Sequence, residues 1–188
     1  MKADRIAVII LAAGQSSRFG SAKMHHYLDS GKTILNTCIE QYQKVFVNIS
    51  VVISNDDKLG KMRIGSGVNT VVSEHSINGM SQSLITGIQS QPDVGAWLIA
   101  LGDMPYVKSE TISNLAGKAT INNIVVPECD HRRGNPVIFG RDFQTQLLSL
   151  QGDVGAKRLI QENQSLILTV PVSDQGVLLD IDRPEDLR

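Results

Sequence analysis

At 188 residues the chain is long enough for one α/β domain with its own core, and 41% hydrophobic against 20% charged residues exclude a disordered chain. A formal net charge of −1 argues against a general nucleic-acid binder, whose surface would be broadly basic. Cys38 and Cys129 lie far apart and make neither a disulfide framework nor a metal-ligand pair, and no apolar run is long enough to span a bilayer. The expectation is a single domain, 1–188, cytoplasmic, with no membrane and no nucleic-acid partner.

Ile6–Leu11 is a continuous apolar run, the pattern of a strand buried on both faces. It leads into Leu11-Ala12-Ala13-Gly14-Gln15-Ser16-Ser17-Arg18-Phe19-Gly20-Ser21-Ala22-Lys23. Small residues let backbone N–H groups approach an anion, and Arg18 and Lys23 bring positive charge to meet it, so the stretch reads as a phosphate cradle. Its glycines are spaced neither as G-x-G-x-x-G nor as a P-loop. An ordinary βα turn would account for Gly14, but not for the two cations.

Ile34, Leu35, Cys38, Ile39, Tyr42, Val45 and Phe46 then share one helical face, and Val47–Ile53 and Val68–Val72 read as strands. A helix capped by Asn78 turns Met80, Leu84, Ile85 and Ile88 inward, with Gly79 allowing close approach at its start and Ser83 about one turn in. The strand Ala96–Leu101 ends in Gly102-Asp103-Met104-Pro105, which puts one carboxylate at the carboxyl end of a central strand. Beside a phosphate, Asp103 needs a cation between the two; Mg²⁺ takes one or two protein carboxylates, waters and substrate phosphates. A turn residue is the competing reading.

A helix behind Ser109 carries Ile112, Leu115, Ala116 and Ala119, and Asn123–Val126 is a strand. The polar stretch from Glu128 to Pro136, the short strand Pro136–Phe139 and the helical Leu147, Leu148 and Leu150 belong to a segment, about 128–160, that reads as an insertion lying over the sheet. Leu166–Val170 and Val177–Ile181 complete the strands. In Asp180-Ile181-Asp182, residues i and i+2 share a face, so either Asp180 or Asp182 suits a second metal ligand, and Asp182 suits an N-cap before Pro184 as well. Strands alternating with helices imply a mainly parallel sheet covered on both faces, with ligands at the carboxyl ends of its strands. His25, His26, His75 and His131 have no metal spacing, and no Ser-His-Asp or Cys-His arrangement stands out.

These residues resemble the MobA-like nucleotidyltransferases, and within them the molybdenum cofactor cytidylyltransferases. The family pattern L-A-A-G-x-S-x-R-x-G-x-x-K is met in full by Leu11 to Lys23. Gly31-Lys32-Thr33-Ile34-Leu35, Asn78-Gly79-Met80, Leu101-Gly102-Asp103-Met104-Pro105, Gly134-Asn135-Pro136-Val137, Gly152-Asp153-Val154-Gly155-Ala156 and Asp180-Ile181-Asp182-Arg183-Pro184 follow in the family's order. The resemblance implies a Rossmann-like three-layer α/β nucleotidyltransferase fold with a mainly parallel, mixed central sheet. It implies that Leu11, Ala12, Ala13, Gly14, Ser16, Ser17, Gly20, Gly79 and Ser83 bind the nucleotide, CTP or another NTP, and that Asp103 and Asp182 bind Mg²⁺. Lys23, Arg18 and Asp103 are then catalytic, and Gly134, Asn135, Gly152 and Asp153 face the acceptor.

The implied reaction transfers CMP to the terminal phosphate of a molybdopterin-type cofactor and releases pyrophosphate, the product passing to a molybdoenzyme or its chaperone. Two departures fall on the acceptor side: Met24-His25-His26 follows Lys23, and Asn135 stands where His is frequent. Ala13 carries a methyl where guanylyl-transferring members tend to have Gly, which favours the smaller base. Two readings stay open beside this one: transfer to another phosphorylated metabolite such as a sugar phosphate, and a non-catalytic nucleotide-binding accessory protein.

Overall fold

The computed structural model describes residues 5–14, 19, 23–55, 64–74, 79–152 and 155–187. Ile6–Leu11 forms β1, and Ile6 to Ile10 are completely buried, as a strand covered on both faces requires. The other strands are β2 (Ile49–Ser54), β3 (Asn69–Ser73), β4 (Ala96–Leu101), β5 (Ile124–Cys129), β6 (Arg132–Arg133), β7 (Val137–Gly140) and β8 (Ile167–Pro171). They make one mixed sheet in the order β3-β2-β1-β4-β7-β5-β6, with β8 also paired to β5. β1 runs parallel to β2 and β4, β2 to β3, and β5 to β8; β7 is antiparallel to β4 and β5, and β6 to β5.

Helices cover both faces. Against one lie α1 (Ile34–Gln43) and α3 (Ser109–Lys118), which bury Leu35, Cys38, Ile39, Tyr42, Ile112 and Leu115. Against the other lie α2 (Met80–Gln89), α4 (Gln144–Leu148) and α5 (Lys157–Glu162), with Leu84, Ile88, Leu147 and Leu159 packed around Trp97 and Phe139. Gly87 in α2 has a steric reason: a Cβ there would sit 2.3 Å from Ile9 Cγ2, so helix and strand meet closer than any side chain permits. None of the helices among the described residues is long and apolar enough to cross a membrane.

Several local expectations are corrected. The cap position of α3 is Lys108 and Ser109 is already helical, while that of α2 is Gly79, Asn78 lying outside the described residues. Within segment 128–160, β7 does not lie over the sheet but inside it, between β4 and β5, because Ile138 and Phe139 are apolar enough to be buried on both sides. Val177–Ile181 is not a strand. Gln175–Leu178 is a 3₁₀ turn followed by irregular chain, since its backbone groups are spent on loops: Asn135 N–H donates to Val177 O at 2.9 Å and Ile181 N–H to Asp103 O at 3.0 Å.

Candidate active site

The register of β1 on β4 decides where the chemistry sits. Leu11 pairs with Leu101, so the loops that leave the two strands start side by side, and Gly102 N–H donates to Leu11 O at 2.9 Å. Lys23 opens a 3₁₀ turn, Lys23–His25, and is only 7% exposed. Its ammonium donates to Asp103 Oδ2 at 2.8 Å and to Asp182 Oδ1 at 3.1 Å, across 80 and 159 residues of sequence. Asp182 is delivered by the bond from Ile181 N–H to the Asp103 carbonyl. Its carboxylate is therefore turned to Lys23, and the N–H groups of Asp182 and Arg183 are taken instead by Asp186 Oδ2 at 2.9 and 2.8 Å.

The electrostatics follow from burial and pairing. Burial works against the Lys23 charge, but hydrogen bonds and charge from Asp103 and Asp182 together outweigh it and hold the ammonium above its ordinary value. Burial raises Asp103 above the usual carboxylate range, the Lys23 contact opposes this, and the charge of Asp180 adds to the rise. Asp103 Oδ1 is buried and has no hydrogen-bond partner among the described residues. A buried carboxylate oxygen left without a donor is costly, and a hard divalent cation satisfies it. No group of three or more His, Cys, Asp or Glu side chains gathers among the described residues, so the donor set is one or two carboxylates, which suits a cation that keeps waters and phosphates as its other ligands.

The other expected residues divide. Ala12 and Ala13 are buried and Gly14 is exposed, with Ala12 N–H donating to Val52 O at 2.8 Å. Gly79 starts α2 at φ 111°, a conformation that favours glycine. Ser83 is buried on the inner side of α2. Gly152 is exposed at φ 76°, and its carbonyl accepts from Ser81 N–H at 3.3 Å. Gly134 is used for packing: a Cβ there would meet Val177 O at 2.2 Å. Ser16, Ser17, Arg18, Gly20 and Asp153 lie outside the described residues.

Leu11 and Leu101 also line a cavity of about 460 Å³. Leu84, Ile99, Val126, Val137, Phe139 and Ile160 give it apolar walls, and Arg133, Asn135, Lys157, Gln161 and Gln164 supply its polar groups. Of the polar groups only Asn135 is expected from sequence, and Leu11 and Gly134, also expected at the site, line the same cavity. Arg133 and Lys157 carry no local signal, because their meeting depends on β6 and α5 converging on one cavity.

A model of the MobA-like NTP transferase domain matches residues 8–166. The chain belongs to this family. Among curated relatives of this MobA-like transferase, the bifunctional protein GlmU of Nitrosomonas europaea is 29% identical over 187 residues, a match covering 94% of this chain and 40% of that protein. The chain spans only 31–40% of the length of the GlmU relatives that it matches. The purine catabolism protein PucB of Bacillus subtilis is 23% identical over 198 residues, covering 99% of this chain and 96% of that one.

Among solved structures, Rv0371c of Mycobacterium tuberculosis superposes with a TM-score of 0.87 at 25% identity, over 99% of this chain and 96% of that chain. A manganese complex of that protein has also been solved, similar at TM-score 0.83 and 23% identity over 97% and 95% of the two chains. The molybdopterin-guanine dinucleotide biosynthesis protein A of Archaeoglobus fulgidus shares the fold at TM-score 0.71 and 19% identity, over 96% and 94%. Family and fold agree: the chain carries a MobA-like NTP transferase domain with the architecture of these neighbours.

Proposed function

We propose that this nucleotidyltransferase moves CMP from CTP to the terminal phosphate of a molybdopterin-type acceptor and releases pyrophosphate. The observation that carries the reading is the Lys23–Asp103–Asp182 cluster at the ends of β1 and β4, whose last residues also wall an apolar cavity with two cationic side chains. An acceptor phosphate is already anionic at neutral pH, so one of its oxygens attacks the α-phosphorus without a general base. The bond from the α-phosphorus to the bridging oxygen breaks, and pyrophosphate leaves with its electron pair. The protein's work is alignment and charge screening, which a site of cations and carboxylates is suited to do.

Lys23 is the group for the α-phosphate. Held between two carboxylates, it stays protonated and has an alternative partner when phosphate oxygens arrive. Arg18 is assigned to the leaving pyrophosphate, where a planar fork makes bidentate contacts. Asp103 and Asp182 would hold Mg²⁺, which supplies charge neutralisation at the phosphate oxygens. Leu11 to Gly14 with Ser16, Ser17 and Gly20 embrace the nucleotide, and Gly79 and Ser83 flank its base and sugar. The methyl of Ala13, 7% exposed, narrows the space for a purine. The acceptor's flat ring system suits the apolar walls of the cavity, with Arg133 and Lys157 meeting its negative charge, and Gly152 and Asp153 are also assigned to the acceptor. The product's recipient would be a molybdoenzyme or its chaperone.

The test is pyrophosphate release with CTP or GTP, Mg²⁺ and a molybdopterin acceptor. Release with CTP and little with GTP is the expected result. Equal use of GTP overturns the cytidylyl assignment, release only with a sugar phosphate overturns the acceptor, and no release with any acceptor overturns catalysis in favour of nucleotide binding alone.

A further inference from the structure

The chain after β8 behaves as a strap that is anchored at one buried carboxylate. Asp174 is 4% exposed and forms no ion pair among the described residues. Its Oδ2 accepts from Lys108 N–H at 2.9 Å and from the Thr111 hydroxyl at 2.8 Å, and its Oδ1 from Gly176 N–H at 3.0 Å. One of these donors is the N–H of the residue just before α3 and another a hydroxyl in its first turn, so Asp174 holds the start of that helix from as far as 66 residues away. A local cap would have needed only Ser, Thr, Asp or Asn at position 108. The chain has Lys there, whose side chain makes no cap bond, and the strap instead takes the Lys108 N–H and the Thr111 hydroxyl, which joins two distant segments as a local cap does not.

The rest of the strap is seated as closely. A Cβ at Gly176 would stand 2.1 Å from Tyr106 O, and one at Gly134 2.2 Å from Val177 O, so two glycines let backbone lie on backbone on either side of the 3₁₀ turn. Beyond the turn, Ile181 N–H reaches the Asp103 carbonyl and Asp182 reaches Lys23. α3 begins six residues after Asp103, at Ser109. The helix that follows one carboxylate is thus tied to the strap that carries the other.

We infer that Asp174 is a positioning residue: by fastening the strap to the first turn of α3 it holds Asp182 in place against Lys23 and Asp103. The inference rests on the reading of Asp182 as a cation ligand. Asp174 touches no reacting atom, and its removal acts through Asp182.

The experiment is Mn²⁺ titration of the full chain followed by electron paramagnetic resonance, on wild type, Asp174→Asn, Asp182→Ala and the double variant, with circular dichroism as the check on folding. Asp174→Asn should keep the far-ultraviolet spectrum and weaken Mn²⁺ binding by about 10-fold, the low end for groups that orient metal ligands. In the Asp182→Ala background it should cost nothing further, since both changes remove the same contact. Unchanged Mn²⁺ affinity in Asp174→Asn beside a weakened Asp182→Ala overturns the tether while leaving Asp182 a ligand, and so do losses that simply add. Unchanged affinity in Asp182→Ala overturns the ligand reading and the tether with it. If Asp174→Asn fails to fold, Thr111→Val removes one donor only; it should weaken Mn²⁺ binding in the same direction, and wild-type affinity in that variant refutes the proposal.

Discussion

Lys23 is bound by two carboxylates before any substrate arrives, and that sets what its loss should do. Lys23→Ala should lower kcat by about 100-fold, the scale of a lost electrostatic stabiliser, in steady-state kinetics. A higher KM at unchanged kcat would mean that Lys23 binds the ground state and no more. Asp103 makes the pH dependence explicit. Its folded pKa lies above the unfolded value mainly through burial, so its neutral form favours the fold. That contribution is complete below the unfolded value and is lost as pH rises through the raised folded pKa. In metal-free buffer, Asp103→Asn should therefore gain stability relative to wild type as pH rises from 4 to 7, read by urea denaturation, and a gain that shrinks over this range refutes the account. Ala13→Gly should relax the preference for CTP over GTP by about 1–3 kcal/mol in kcat/KM, the range for a single methyl-sized group in a pocket. An unchanged ratio would show that the base does not pass over Ala13.

At the scale of elements, the site depends on α2 and β1 lying closer than side chains usually allow. Gly87→Ala raises helix propensity by about 1 kcal/mol, but it drives a methyl into Ile9 and Val52, and overpacking of this kind costs about 1–3 kcal/mol. Net destabilisation is expected, measured as a lower denaturation midpoint; a stabilised variant would mean that the helix can move off the strand. The same elements show what patterning reads well. β1 and β4 were legible to the residue because both are uninterrupted apolar runs ended by glycine-containing loops. Val177–Ile181 has the same apolar look and is no strand, since its partners are loop carbonyls and N–H groups that hydrophobicity does not report. The start of α3 is missed for a related reason: the segment ahead of Ser109 is held by Asp174, which takes the Lys108 N–H, and short-range rules see only neighbours.

For the molecule as a whole, the two thiols are a check on the packing. Cys38 is fully buried on the inner face of α1, its Sγ donating to Leu101 O at 3.5 Å, and burial pushes its pKa far above that of a free thiol; Cys129 is buried as well. Neither should react with iodoacetamide at pH 8 in the native protein, and both should after denaturation, counted by mass spectrometry; rapid native labelling would mean that the sheet opens under those conditions. The amino-acid sequence by itself determined the α/β alternation, the loop that follows β1, and the carboxylates Asp103 and Asp182 as candidates, because apolar runs, small-residue loops and strand-end acids are local signals. Only the tertiary structure decided that Lys23 joins those two carboxylates, that Gly134 serves packing, that Arg133 and Lys157 share a cavity, and that Asp174 ties down the strap. Each of these depends on backbone segments meeting across 24 to 159 residues, and the tertiary fold, rather than any local preference, brings them together.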